Sequence, residues 1–168
     1  FLRGFEPAAE LVYLPGVAQL DTLWREAHAA PDAPAADAAW IARRTPEQMA
    51  ALVLAPHPAA RWAWFDEQPV YSIWERHRRP GAVGDELAWR GEGALLTRPG
   101  DTVNWHEITQ AGCAFLDACA SGASLAEAAE RALAADPQAD ISAMFAALLR
   151  AGAFAGTSAS PASNGRTP

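Results

Sequence analysis

The chain contains no lysine: its 13 basic side chains are all arginine, set against 20 carboxylates, for a net charge of −7. A surface that grips phosphate needs clustered Lys and Arg, so this balance argues against a nucleic-acid partner and favours a cationic or mixed-charge one. The one basic run, Arg76-His77-Arg78-Arg79, precedes Pro80-Gly81 and reads as a solvated loop at the end of a strand. Cysteine is scarce too. Cys113 and Cys119 fall in one expected helix, at a spacing from which two sulfurs cannot converge. That excludes a disulfide or shared metal and agrees with a reducing cytosol. No stretch approaches the roughly 18 apolar residues of a membrane span, so no membrane partner and a cytoplasmic location are expected. The chain begins at Phe1 without a signal-peptide pattern, and is expected to be a fragment or a renumbered chain with a further domain upstream.

Patterns that would carry catalysis are missing as well. There is no G-x-S-x-G elbow, no P-loop and no G-x-G-x-x-G after a strand; Gly91-Glu92-Gly93 reads as a lone turn. His28, His57, His77 and His106 form no H-x₃-H or HExxH pattern, and no cysteine lies at ligand spacing to them. His57, wedged before Pro58, suits a turn in which the ring bonds backbone. His106-Glu107 lacks a third partner for metal or acid–base work, and the carboxylates scatter over solvent faces rather than pairing. The expectation is a chain that is not an enzyme and holds no cofactor of its own.

What is present is apolar and rich in alanine, which makes up roughly a quarter of the chain. At 168 residues it can bury a real core. The expected fold is α+β: an N-terminal helical region (1–68), a winged-helix-like domain of small antiparallel sheet plus three helices (69–156), and a disordered Ser/Pro/Asn-rich tail (157–168). Pro15 opens a first helix carrying Val17, Leu20, Leu23 and Trp24 on one stripe, and Ala30-Pro31 ends it. A short turn over Asp37–Arg43 and a helix capped by Thr45 follow. Pro69–Glu75 reads as a strand with apolar bulk on both faces, and Glu86–Arg90 as another. Gly93–Arg98 and Thr102–His106 form a hairpin about Pro99-Gly100-Asp101. The last three helices repeat apolar residues at helical spacing: Ile108 to Cys119, Leu125 to Leu133, and Ile141 to Leu149. Gly122 stops the first, Ser124 with Glu127 makes a capping box for the second, and Asp140 and Gly152 bound the third, with Phe154 folding back.

A winged helix usually grips DNA, but the final helix offers Arg150 alone and the middle one is net negative, so it lacks the charge for that use. A DNA-binding regulator is therefore the alternative, not the first expectation. Strand addition is the better use of such a shape: an open sheet edge supplies main-chain hydrogen bonds, and a groove beside a helix takes side chains. The expected peptide site is Thr102, Val103, Asn104 and Trp105 on the strand, with Ala143, Ala147 and Arg150 on the last helix. Of the seven tryptophans, Trp89 and Trp105 are the candidates for a partner surface.

Two resemblances follow from these residues. Ala94-Leu95-Leu96-Thr97-Arg98-Pro99-Gly100-Asp101-Thr102-Val103-Asn104-Trp105, the three helices and Ala151-Gly152-Ala153-Phe154 resemble the PqqD-like domains that hold leaders of ribosomally made, modified peptides. Over residues 1–156, Tyr13-Leu14-Pro15, Val17-Ala18, Leu20-Asp21, Asp32-Ala33-Pro34, His57-Pro58, Pro69-Val70 and Ile73-Trp74 resemble the HvfC/BufC family, to which methanobactin-type MbnC is functionally related. Gly16 departs from that pattern where an acidic residue is usual, and Asp21 where Glu is common. The resemblance implies a non-catalytic partner, in a heterodimer, of a multinuclear non-haem iron (MNIO) oxidase, with the iron in the oxidase. The oxidase converts precursor cysteines into oxazolone–thioamide-type groups, often for copper binding, as in methanobactin or bufferin synthesis. It further implies docking through residues 1–75, with Tyr13, Leu14, Asp21, His57 and Trp74 at the oxidase interface.

Overall fold

The structure, a computed structural model, describes residues 11–79 and 86–156. The tail expected over 157–168, the opening stretch 1–10 and Pro80-Gly81 lie outside the described residues. Among the described residues the fold is α+β, a three-stranded antiparallel sheet covered by helices on both faces. Helix α1 (Leu14–Ala29) begins with Pro15 in its first turn and buries Leu20 and Ala27. Two short helices follow: α2 (Ala38–Ala42), capped by Asp37, and α3 (Pro46–Ala50), where Thr45 and Gln48 form a reciprocal capping box.

The sheet is β1 (Arg61–Phe65), β2 (Glu92–Thr97) and β3 (Asn104–Ile108), with β2 in the middle. Trp62 faces Leu95 and Leu95 faces His106; Arg61, Leu96 and Trp105 likewise share a row. Every residue of β2 is buried. Ala94 and Leu96 pack with α1, the next helix α4 (Val70–Arg78) and Val103. Leu95 joins the larger core built on α5 (Gln110–Ala120), α6 (Leu125–Ala135) and α7 (Ile141–Arg150). At the centre of that core Phe115, Phe145 and Phe154 touch with centroids 5.8 to 6.4 Å apart. The capping signals of this region operate as expected: Ser124–Glu127 closes the box on α6 and Asp140 caps α7. Gly122 (φ +83°) and Gly152 (φ +72°) adopt the left-handed conformation that ends α5 and α7.

Three expectations are corrected. Pro69–Glu75 is not a strand but the start of α4. Val70, Tyr71, Ile73 and Trp74 are the buried set, and i, i+1, i+3, i+4 is helical spacing that also resembles apolar alternation. The buried Glu92 of β2 fixes this helix start, its carboxylate accepting from Ser72 N and Ser72 Oγ, both at 2.8 Å. Glu86–Arg90 is not a strand; the third strand is Arg61–Phe65, after the His57-Pro58 turn. A boundary after residue 68 would cut the sheet, since β1 precedes it and β2 follows. Residues 153–156 also lace the halves together, pairing Ala35 with Ala155 and Pro56 with Phe154.

Arg98 ties the hairpin to the end of α1. Nearly buried, it donates from Nε to the Ala27 carbonyl at 3.1 Å, from Nη2 to the Ala30 carbonyl, and from Nη1 to Gly100 O at 3.2 Å and Asp32 Oδ1 at 2.6 Å. A guanidinium here satisfies carbonyls that the helix leaves unpaired and complements its negative end. Replacing it with methionine (Arg98→Met) should lower stability by about 2–3 kcal/mol in urea unfolding, the cost of losing charge-assisted bonds to buried carbonyls. Asp32→Asn, at the exposed end of the clasp, should change the midpoint far less. Equal effects would place the energy in the ion pair instead.

Candidate functional site

Strand β3 is an edge. β2 occupies one side, and among the described residues no strand or backbone hydrogen bond pairs the other. Beside that open edge runs a groove of about 560 Å³ between β3 and α7. Leu95, Ile108, Met144 and Leu148 give it an apolar floor; Ala147 and Ala151 keep one wall low. His106, Glu107 and Thr109 stand along the strand side, Asp136, Asp140 and Arg150 along the helix side. A second hollow shares Glu107, Ile108, Thr109 and Asp136 and carries the groove on to Trp64 and Arg90.

The position of Ile108 depends on two glycines. A Cβ at Gly93 would come within 2.5 Å of Ile108 O, and one at Gly112 within 2.6 Å of Ile108 Cγ1. Their absence lets the strand end settle between β2 and α5. Thr109 then opens α5 at once, its Oγ1 accepting from Gly112 N at 3.1 Å. The edge strand and the helical core are thereby locked together at the groove floor.

Of the expected peptide site, Ala147 and Arg150 line the groove, while the strand residues are displaced along β3. Val103 is buried in the core with α1 and α4, and Trp105 packs on that side, edge-on to Trp74 with centroids 5.5 Å apart. Thr102 precedes the strand, and neither Asn104 nor Ala143 lines the groove. The shift has a local cause: Thr97 pairs with Asn104, so the loop spans residues 98–103 rather than the Pro-Gly-Asp tip alone. Alternation then puts Trp105 on one face and His106 and Ile108 on the other. His106, Glu107, Ile108, Met144 and Leu148 line the groove without having been expected there; alternation from Val103 and Trp105 points to His106 and Ile108, but not to Glu107.

The expected oxidase interface is divided. Asp21 and Trp74 do meet: Asp21 Oδ1 accepts from Trp74 Nε1 at 2.9 Å and from Arg78 Nη2 at 2.7 Å. Arg78 lies between the rings of Trp24 and Trp74, 4.9 and 4.3 Å from their centroids, and Trp24 stacks on His28. The run Arg76–Arg79 is thus the last turn and cap of α4 rather than a loop after a strand, with Arg78 fixed by aromatics and Arg79 paired to Glu75. Trp74 and His57 are buried and offer no surface to a partner. His57 sits elsewhere: Nδ1 accepts from Ala59 N, Nε2 bonds the Ala33 carbonyl, and the backbone N–H reaches Ala153 O. Tyr13 and Leu14 begin α1, next to exposed Leu11 and Val12. Gly16 has a steric reason, since a Cβ there would meet Val70 Cγ2 at 2.8 Å where α1 and α4 cross.

Cys113 and Cys119 are buried, and burial pushes their thiols up to about 12 and about 11, so near neutral pH they stay protonated and unreactive. Among the described residues no three His, Cys, Asp or Glu side chains are grouped to hold a metal, and no helix is long and apolar enough to cross a membrane. The class that the fold and site define is an α+β chain with an open edge strand over an apolar groove. A scan against protein-family models, a search of curated proteins and a search of solved structures each find no match.

The Asp21 cluster makes a pH prediction. Partial burial raises the Asp21 carboxyl, but the Arg78 and Trp74 hydrogen bonds and the Arg78 charge outweigh it and hold it below the usual carboxylate value. An unfolded chain then binds more protons than the native one in acid, so this contribution is present above about pH 4 and lost as pH falls through the lowered value. Asp21→Asn should flatten the fall in stability below about pH 4, followed by tryptophan fluorescence. An unchanged acid limb would show that the cluster carries no linkage. At the groove floor, Gly93→Ala should cost about 1–3 kcal/mol by forcing Ile108 away. No loss of thermal stability would contradict the close fit.

Proposed function

We propose that this chain is a peptide-capture subunit, in which an extended segment of a partner peptide adds to the free edge of β3 and seats its side chains over Leu95, Ile108, Met144 and Leu148. The observation that carries the proposal is the pairing of an unpartnered strand edge with an apolar groove along it. A strand edge supplies backbone donors and acceptors at a regular spacing, and the groove rewards apolar side chains at alternate positions. Small residues on the wall, Ala147 and Ala151, let a peptide backbone come close.

Together with the family resemblance of the sequence, this supports a role as the non-catalytic partner of an iron-dependent, peptide-modifying oxidase. The iron and the chemistry would belong to the oxidase; this chain would hold the leader of a cysteine-containing precursor. Docking to the oxidase would use the start of α1, where Leu11, Val12, Tyr13 and Leu14 lie together, rather than buried Trp74 and His57. The test combines the chain, an MNIO-type oxidase and its precursor. The chain should co-elute with the oxidase and raise precursor turnover. Ala147→Arg, at an exposed wall position, should leave the fold and co-elution intact while cutting precursor binding at least about tenfold. Absence of co-elution, or turnover independent of the chain, would overturn the proposal.

A further inference from the structure

The groove is electrically polarised along its length, and this sets the charge order of the peptide it accepts. Helix α7 runs antiparallel to β3. Its start lies by the end of β3, where Ile108 and Thr109 share a hollow with Asp136. Its end lies by the hairpin loop, where Gly152 packs so tightly on Pro99 that a Cβ would come within 2.8 Å of Pro99 Cβ. Asp136 and Asp140 therefore mark one end of the groove and Arg150 the other, separated by a helix of 10 residues. That is about 15 Å, the reach of four or five extended residues.

Each aspartate has one oxygen engaged locally, Asp136 Oδ1 with Gln138 N at 3.0 Å and Asp140 Oδ1 with Ala143 N at 2.9 Å. Asp140 is exposed and Asp136 half-exposed, and neither has a cationic partner among the described residues. Glu107 is answered by Arg90 at 3.3 Å, so it adds little to the acidic end. Arg150 likewise has no carboxylate within salt-bridge distance among the described residues.

We infer that the groove selects an extended peptide with Lys or Arg at its N-terminal end, an apolar residue at its centre and Asp or Glu at its C-terminal end. This rests on the strand-addition proposal. Antiparallel pairing, the more stable ladder, lays the peptide's N-terminal end beside the end of β3 and hence over Asp136 and Asp140. Its C-terminal end then falls at Arg150.

The test uses two labelled peptides of identical composition and zero net charge, Lys-Lys-Val-Thr-Val-Glu-Glu and Glu-Glu-Val-Thr-Val-Lys-Lys. With composition equal, general attraction to an acidic protein cancels. By fluorescence polarisation at low salt the first should bind about tenfold more tightly, as expected from two or three half-exposed charge pairs, and the preference should shrink as salt is added. The double variant Asp136→Asn and Asp140→Asn should abolish most of the preference, while asparagine preserves both local hydrogen bonds and the α7 cap. Equal binding, a reversed order, or a preference that survives in the double variant would overturn the charge-order inference alone, provided Ala147→Arg still weakens both peptides. If neither peptide binds, or Ala147→Arg leaves binding unchanged, the groove itself is not the peptide site and both proposals fall.

Discussion

Strand β2 must be covered on both faces, and most of the architecture follows from that demand. Ala94 and Leu96 need α1 and α4 over them; Gly93 and Leu95 need the α5–α7 layer. One layer comes from α1 and α4, before the hairpin, and the other mainly from α5–α7, after it, joined by Ile41 and Leu54, so both parts of the chain close on one small sheet. Burying apolar surface at about 25 cal/mol per Å² rewards this arrangement, and the directional bonds of Arg98, Glu92 and His57 fix its register. With β2 in the centre, β3 is left at the rim. The open edge is a consequence of how the core is closed.

The two faces then take different roles. On the α1–α4 face, Asp21, Arg78, Trp24, Trp74 and Trp105 interlock, and the crossing is tight enough to require Gly16. That layer is closely packed, with Asp21, Arg78 and the Trp74 indole bonded to one another and the Trp105 Nε1 buried without a partner among the described residues. The α7 side is different: Ala147 and Ala151 leave space above an apolar floor, and the carboxylates and guanidinium around it are spread to opposite ends. A firm scaffold behind an unfilled groove is the arrangement that strand capture requires, because ordering a peptide is offset only by contacts held in place beforehand.

Local signals were legible where they are punctuated by chemistry. Thr45-Pro46, Ser124 with Glu127, Asp140, Gly122 and Gly152 each marked a helix boundary that the structure contains, because a cap or a left-handed glycine is a local requirement. Val70–Trp74 was misread because a short helix buried on most sides shows apolar residues at nearly every position, and its N-terminus is stabilised by Glu92, distant in sequence. Trp62 and Trp64 belong to a strand whose partner, β2, lies some thirty residues on, so nothing local announced it. The groove lies beside the same strand and last helix, but its strand-side lining is His106–Thr109 rather than Thr102–Trp105, four positions further along, because the hairpin loop is longer than its Pro-Gly-Asp tip. Which side of β3 faces α7 is decided by the burial of Val103 and Trp105, a tertiary fact.

The most direct measurement is hydrogen–deuterium exchange along the chain with and without the bound precursor peptide. An added strand would pair the free amides of Asn104–Ile108, so these should become protected, together with peptides covering α7, while β1 at the opposite edge stays unchanged. Protection confined to β1, to the α1–α4 face or to the exposed faces of α6 and α7, with β3 exchanging as before, would contradict strand addition at this edge.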